Sequence, residues 1–247
     1  MVTFTVRCAC FCLATASAYP QVFEIEGRYW FTKTDAQVRV ERLGLATDVD
    51  LKKDLGTGDG GFPEAQVTWS PGSNQLRFAF TPIRYSGDQD VNRTIVFGGR
   101  TYSLGTRVVS NVDVDALRLT WTHFFLRTER LRLGPLLEAN GFLQSATLSA
   151  PALSFLQSNS LSVGAPAFGL AAEVTSGRIW KIVGEAAGTP AGRYGYFIRS
   201  EAAVKLTPLP HAGITAGYRL FDLHADYQPD FARLRVHGPF VGVSLRF

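Results

Sequence analysis

Cysteine is scarce in this 247-residue chain, and the three that it has, Cys8, Cys10 and Cys12, fall close to the N-terminus. These thiols lack the histidine or second cysteine pair of a zinc site, so we expect no metal centre. Beyond the first twenty residues no run of about 18 apolar residues occurs, which argues against a helical membrane protein. With 46% hydrophobic and only 19% charged residues, the composition also argues against an intrinsically disordered chain.

Lysine is also rare, with 5 Lys beside 20 Arg. The basic residues are spread along the chain instead of forming a patch, and this distribution predicts no nucleic-acid partner. The sequence contains no cofactor-binding motif and no Gly-x-Ser-x-Gly nucleophile turn. We therefore expect no cofactor, and the sequence assigns no catalytic residue.

Residues 1–18 have the features of an export signal. Arg7 precedes an apolar run over 8–16, and Ala16-Ser17-Ala18 matches a signal-peptidase cleavage site of the A-x-A type. The alternative is a first buried strand. Cleavage after Ala18 would remove all three cysteines. Because no linker or low-complexity tract divides the remainder, residues 19–247 are predicted to form one domain.

Apolar and polar residues alternate along most of the chain, which is the pattern of β-strands. In the segment 193–206, Tyr196 and Ile198 occupy one face while Arg199 and Lys205 occupy the other. Such segments exceed the average strand of about 5 to 6 residues and suit the roughly 9 to 11 that cross a membrane. We predict about ten strands, with eight to twelve possible, over residues 22–33, 64–70, 75–85, 112–126, 131–144, 161–174, 178–187, 193–206, 211–225 and 232–247.

The predicted connections differ in length at the two ends of the strands. Short turns are expected at 71–74, 127–130, 175–178 and 207–210. Polar loops, most of them long, are expected at 34–63, 87–111, 145–160, 188–192 and 226–230. Within the second loop, Gly98-Gly99 predicts a small hairpin. Breaks in the alternation predict β-bulges at Leu220-Phe221 and Pro239-Phe240.

The last eight residues, 240–247, alternate in polarity and end on an aromatic residue, with the apolar positions at Val241, Val243, Leu245 and Phe247. This segment resembles the closing strand of Gram-negative outer-membrane β-barrel proteins. The resemblance implies an all-β fold, a single up-and-down antiparallel transmembrane β-barrel in the bacterial outer membrane. In that family the closing strand is recognised by the barrel assembly machinery, so these four residues are expected to form the assembly signal.

The same resemblance implies outer-membrane lipid and lipopolysaccharide as the surroundings of a monomeric barrel with both termini periplasmic. Short periplasmic turns and longer outer loops are typical of such barrels. Since a period of two also fits a soluble barrel, an exported β-barrel that binds a small apolar ligand remains the alternative.

In a membrane barrel the charged positions are expected to face the lumen, because Arg or Lys facing lipid at mid-membrane costs about 2 to 4 kcal/mol. The eight basic and five acidic candidates for a lumen charge network are Glu24, Glu26, Arg28, Arg77, Arg118, Glu138, Lys181, Glu185, Arg199, Glu201, Lys205, Arg219 and Arg246. Buried charges of both signs must pair, which predicts a plugged or very narrow lumen. A selective channel with excess Arg is the alternative.

Aromatic residues near the predicted strand ends suggest belts at the membrane interfaces, formed by Tyr29, Trp30, Trp69, Tyr85, Trp121, Trp180, Tyr194, Tyr218 and Tyr227. Core aromatics of a soluble sandwich would give the same pattern. These residues therefore add little to the choice between the two classes.

One short segment carries residues suited to acid–base or cation chemistry. Asp222, His224 and Asp226 share one face near the end of the ninth strand, and a histidine between carboxylates is what such chemistry requires. A polar group at the rim of a barrel is the alternative. The sequence thus predicts a non-enzymatic envelope protein with a structural or surface role or restricted small-solute passage, and an outer-membrane enzyme acting on lipid or lipopolysaccharide is the main rival.

Overall fold

The computed structural model describes residues 21–39, 49–50, 59–90, 95–97, 100–102, 105, 107–150, 155–177, 179–190, 192, 195–227 and 230–247. The segment predicted to be an export signal lies outside the described residues. Among the residues that are described, none forms a helix long and apolar enough to cross a membrane.

The described chain consists of antiparallel strands. In chain order they are β1 (Gln21–Arg39), β2 (Val49–Asp50), β3 (Gly60–Pro71), β4 (Asn74–Asp90), β5 (Ile95–Phe97), β6 (Arg100–Tyr102), β7 (Arg107–His123), β8 (Leu126–Arg127), β9 (Leu131–Ala150), β10 (Phe155–Ser176), β11 (Trp180–Pro190), β12 (Gly195–Leu209), β13 (Ala212–Tyr227) and β14 (Asp230–Arg246).

Ten of these strands close into a barrel in the order β1, β3, β4, β7, β9, β10, β11, β12, β13, β14, after which β14 pairs with β1. At the closure, the backbone N–H of Phe247 donates to the carbonyl of Phe23 over 2.8 Å, and the Phe23 N–H donates back over 3.2 Å. Each strand pairs with its neighbours in the sequence, which gives an up-and-down meander. The predicted all-β barrel of about ten strands is confirmed.

The barrel strands are longer than the sequence pattern indicated, with 11 residues in β11 and 22 in β10. Residues 145–160 were predicted to form a polar loop, but most of them continue β9 and β10, and Ser145 pairs with Ser160. The predicted loop at 226–230 is shorter than expected, because β13 continues to Tyr227, which pairs with Asp230 at the start of β14, and residues 228 and 229 lie outside the described residues. Polar composition identified these segments as loops, whereas backbone pairing extends the strands through them.

The connections at one end of the barrel are short, as predicted. Two residues separate β3 from β4, and Gly72 adopts a φ of 60°, a conformation that glycine accepts without strain. β10 and β11, and β12 and β13, are also joined by a few residues. We call this the short-turn end and the other the long-loop end. Near the long-loop end β5 pairs with β6, which confirms the predicted hairpin.

Side chains alternate between the lumen and the outer face along every barrel strand. In β1, Glu24, Glu26 and Trp30 are buried while Phe23 and Ile25 are exposed. The barrel is therefore charged inside and apolar outside, the reverse of a soluble globular domain. This arrangement places the candidate functional residues in the lumen.

The two predicted β-bulges are wrong. The pairing of β13 with β14 keeps one register from Ala212 to Tyr227. Within the described strands, the register shift that involves β13 is in its pairing with β12, between Leu206 and Leu209 of β12, near the short turn that joins the two strands. The apolar parity changes at Phe221 because that side chain packs inside the lumen, where Arg219 precedes it on the same face. The residues that line the lumen change from charged to apolar along the barrel, while the alternation of inward and outward side chains continues unbroken.

Candidate functional site

The thirteen residues predicted to carry lumen charges all lie on the inward face. Ten of them are buried: Glu24, Glu26, Arg77, Arg118, Glu138, Glu185, Arg199, Glu201, Lys205 and Arg219. The side chain of Arg28 is 7% exposed, while Lys181 and Arg246 are 30% and 33% exposed. The last two therefore mark where the lumen meets solvent.

Arg219 on β13 connects two strands that stand three places apart around the barrel. Its Nη1 and Nη2 donate to the two carboxylate oxygens of Glu64 on β3, over 2.7 and 2.8 Å. Its Nε donates to Glu201 Oε2 over 2.8 Å. A bidentate guanidinium–carboxylate pair fixes both side chains in one geometry, so Arg219 and Glu64 form a bar across the lumen.

Arg199 on β12 forms a second crossing. Its Nε and Nη2 donate to Glu138 on β9 over 3.0 and 2.5 Å, and Nη2 also donates to Glu185 on β11 over 2.9 Å. Arg77 of β4 donates to the same Glu185 and, over 3.0 Å, to Gln75. Two guanidinium groups from different strands therefore share one carboxylate.

Arg28 and Arg118 complete the network. Arg28 donates to Glu201 over 2.7 Å and to Glu26 over 3.1 Å. Arg118 lies 3.6 Å from Glu64 and is the least well bonded of the five arginines, since its Nε and Nη2 have no hydrogen-bond partner among the described residues. We define the central cluster as five arginines and five glutamates of equal and opposite formal charge: Glu26, Arg28, Glu64, Arg77, Arg118, Glu138, Glu185, Arg199, Glu201 and Arg219.

Three lumen charges within the described part of the chain were missed from the sequence: Glu64, Arg132 and Glu173. Glu64 stands at the first residue of its predicted strand, yet it alternates with Gln66 and Thr68, which are also buried. Arg132 lies beside a turn, and Glu173 follows two alanines that interrupt the alternation. All three lie within the predicted strands 64–70, 131–144 and 161–174, so applying the period of two over the full length of those strands would have identified them.

An aromatic layer covers the central cluster on its long-loop side. In four strands the inward position two residues further toward that end is aromatic: Trp30 follows Arg28, Phe221 follows Arg219, Phe62 precedes Glu64, and Phe197 precedes Arg199. Phe240 joins this layer, and the guanidinium groups of Arg28 and Arg219 lie 4.8 and 5.4 Å from its ring centroid. These are distances at which cation–π contacts are favourable.

Trp30 therefore does not belong to an interfacial belt as predicted, because its ring is buried and its Nε1 donates to the carbonyl of Gly238 over 3.2 Å. Tyr85 also turns inward, with its hydroxyl 2.7 Å from Thr34 Oγ1. Trp69, Trp121, Trp180, Tyr29 and Tyr218 do face outward, and Tyr194 lies outside the described residues.

A polar cavity of about 160 Å³ lies on the short-turn side of the central cluster. At its mouth Glu24 binds Lys205 and Arg246, the latter over 3.3 Å. Glu173 likewise binds two cations, Arg132 at 2.9 Å and Lys181 at 3.2 Å. We call these six residues the mouth ring and the cavity the vestibule.

In sequence, no family model matches the chain and no curated protein matches it. In structure, it matches the outer membrane protease OmpT from Escherichia coli over 94% of this chain and 99% of OmpT, with a TM-score of 0.62 and 10% identity. The chain has the fold of the small Gram-negative outer-membrane β-barrel proteins. Weaker matches include Ail of Yersinia pestis in complex with a heparin analogue. That match has a TM-score of 0.42 and 15% identity, and it covers 93% of this chain and 100% of Ail. The translocator domain of NalP from Neisseria meningitidis matches with a TM-score of 0.45 and 12% identity, over 91% of this chain and 88% of the NalP domain.

The outward face of this outer-membrane-type barrel is apolar in the half nearer the short turns and polar near the long-loop end. The apolar residues include Ile25, Phe78, Leu119, Leu170, Ile182 and Val243. Toward the long loops, Arg84 pairs with Asp115 at 2.5 Å and with Asp113 at 3.5 Å on the exposed surface. The apolar zone therefore ends, on the long-loop side, where these charged residues begin.

The predicted rim group lies on this outer face. Asp222 forms an ion pair with Arg235 at 3.5 Å, and the His224 ring stacks on Tyr196 with centroids 5.7 Å apart. Asp226 follows on the same face near the end of β13. None of the described residues belongs to a group of three or more His, Cys, Asp or Glu side chains placed to hold a metal ion.

The four residues predicted as an assembly signal all project outward. Val241, Val243, Leu245 and Phe247 are among the most exposed apolar side chains of the barrel, and Phe247 is 68% exposed. Their backbones belong to the closure between β14 and β1. The strand thus contributes hydrogen bonds to the fold while its apolar side chains remain accessible.

Proposed function

We propose that the protein is an integral outer-membrane barrel without enzymatic activity, that its lumen is closed, and that it acts in envelope structure or at the cell surface. The observation that carries this proposal is the opposite sorting of side chains, with paired charges inside a closed barrel and exposed apolar residues outside. In water, so much exposed apolar surface would promote association. In a bilayer the same surface is the favourable one.

The closed lumen rests on two consecutive barriers. The central cluster crosses the bore with ion pairs from eight of the ten strands, and the aromatic layer covers it on the long-loop side. Its five arginines are matched by five glutamates, so the excess positive charge of an anion-selective bore is missing from this level. An ion crossing the barrel would have to displace pairs that are buried on all sides.

The surroundings and route of the protein follow from the same proposal. Lipid and lipopolysaccharide would contact the outward face, and the assembly machinery would recognise the closing strand that ends at Phe247. Export would depend on residues 1–18, which would then be removed by cleavage after Ala18. The short-turn end would then face the periplasm, and the barrel would be a monomer.

Cell fractionation followed by electrophoresis with and without heating tests the location. We expect the protein in the outer-membrane fraction, with a mobility that changes on heating because a stable barrel resists unfolding by detergent. Recovery as a soluble periplasmic protein would overturn the proposal and favour the soluble barrel with an apolar ligand.

Planar-bilayer recording tests the closed lumen, and we expect no stepwise conductance. Sustained single-channel steps would favour restricted small-solute passage through the lumen, the second function that the sequence suggested.

An enzyme at the rim is tested by His224→Ala, for which we expect no change in lipase, protease or deacylase assays on outer-membrane preparations. Loss of such an activity in the variant would favour the enzyme.

A further inference from the structure

The vestibule has a composition that the closed lumen alone does not require. In the mouth ring four cations share two carboxylates, so Arg132, Lys181, Lys205 and Arg246 leave two positive charges without a counterpart beside Glu24 and Glu173. The central cluster behind the ring is balanced as a whole, and its members that line the vestibule, Glu26, Glu185 and Glu201 with Arg28 and Arg77, contribute one net negative charge. The mouth ring therefore carries an excess of two positive charges, and the whole charged lining of the vestibule keeps an excess of one.

The cations of the ring retain donors for a ligand. Arg132 binds Glu173 through Nη1, while its buried Nε has no hydrogen-bond partner among the described residues. Its guanidinium carbon is held 3.9 Å from the centroid of the Phe124 ring, which fixes the direction of the group. Lys181 and Arg246 are about one-third exposed, so solvent reaches this end of the cavity.

The deep wall of the vestibule offers a different group. Gln66 lines the cavity and is buried, and its Oε1 has no hydrogen-bond partner among the described residues. An unpaired buried acceptor is unfavourable, so a ligand or water that donates a hydrogen bond is expected there. The cavity of about 160 Å³ has room for several waters or for an oxyanion of five heavy atoms.

We propose that the vestibule binds one compact dianionic oxyanion of the phosphate type, which enters from the short-turn end and does not cross the barrel. The two charges of hydrogenphosphate balance the excess of the mouth ring, and its oxygens accept from Arg132, Lys181 and Arg246. Its single hydroxyl donates to an acceptor such as Gln66 Oε1. Sulfate has the same shape and charge but no hydroxyl, so it binds more weakly.

The test is a calorimetric titration of the full barrel, folded in detergent micelles, with inorganic phosphate and then with sulfate at constant ionic strength. We expect saturable binding of one phosphate per barrel. The double variant Lys181→Gln, Arg246→Gln removes both excess charges, yet each buried carboxylate keeps one cation, Arg132 or Lys205. Because one charge-assisted hydrogen bond changes affinity about tenfold, we expect the dissociation constant of the double variant to rise at least about tenfold.

The matched control is Arg84→Gln, Arg235→Gln, which removes the same charge from the outer face at the long-loop end and should leave phosphate binding unchanged. The heat-dependent mobility shift establishes that each variant is folded. If the double variant does not fold, the two single variants are titrated instead, and an unchanged dissociation constant in both overturns the proposal. Absence of saturable phosphate binding to the wild type overturns it as well, and equal affinity for sulfate overturns the role of the hydroxyl.

Discussion

Arg219 and Glu64 meet across the lumen through two parallel hydrogen bonds of 2.7 and 2.8 Å, although 155 residues separate them in the chain. Glu64 also lies 3.6 Å from both Arg28 and Arg118. One carboxylate therefore serves three guanidinium groups.

Glu64→Gln is expected to destabilise the barrel by about 3 to 5 kcal/mol, because it keeps the side-chain volume and leaves buried arginine charge uncompensated. The measurement is the free energy of unfolding by urea in phospholipid vesicles. Glu129→Gln, in an exposed turn, is the control and should change that free energy by less than about 0.5 kcal/mol. Equal effects of the two substitutions would show that the cluster does not hold the barrel together.

Gly242→Ala tests the packing around Arg28. A Cβ atom at residue 242 would lie 2.8 Å from Arg28 Cγ and 3.0 Å from Glu26 Oε1, both of which belong to the central cluster. We expect a loss of about 1 to 3 kcal/mol, the usual result of overpacking. Gly184→Ala is the control, since its Cβ would meet no atom within 4 Å. A Gly242→Ala barrel as stable as the control would mean that Arg28 can move freely.

Phe247→Ala separates assembly from stability. The backbone of Phe247 closes the barrel against Phe23, but its ring is 68% exposed and contributes little packing. We expect the purified variant to unfold within about 0.5 kcal/mol of the wild type, as is usual for surface substitutions. In cells we expect less folded barrel in the outer membrane, measured as the heat-modifiable fraction. Normal amounts in cells would argue against Phe247 as an assembly signal.

Much of this structure is predictable from the period of two, since each of the ten predicted segments overlaps a barrel strand. The pattern located Arg199 and Arg219 correctly because charged and apolar residues alternate cleanly around them. It located the strand ends poorly at 145–160. Outside the apolar zone, backbone hydrogen bonds hold the strands together whatever the side chains are, so no alternation of apolar and polar residues marks the strand there.

The pairing within the lumen was not predictable. Glu64 and Arg219 lie on β3 and β13, and only the closure of the sheet brings those strands to face each other. The aromatic layer was missed for a related reason: at Phe221 and Phe240 the inward face becomes apolar, and a one-dimensional pattern represents that change as a phase break. Both features depend on which strands the closed sheet brings together, and the order of residues along the chain does not specify that.

The most direct test of the membrane barrel is to place a positive charge on its apolar outer face. Leu170 projects outward from β10 and is 60% exposed, and Ser162 faces outward from the same strand nearer the long loops. In phospholipid vesicles we expect Leu170→Arg to lower the free energy of unfolding by about 2 to 4 kcal/mol and Ser162→Arg to change it by at most about 1 kcal/mol. An unchanged free energy for Leu170→Arg would mean that this surface faces water, and would contradict the transmembrane barrel.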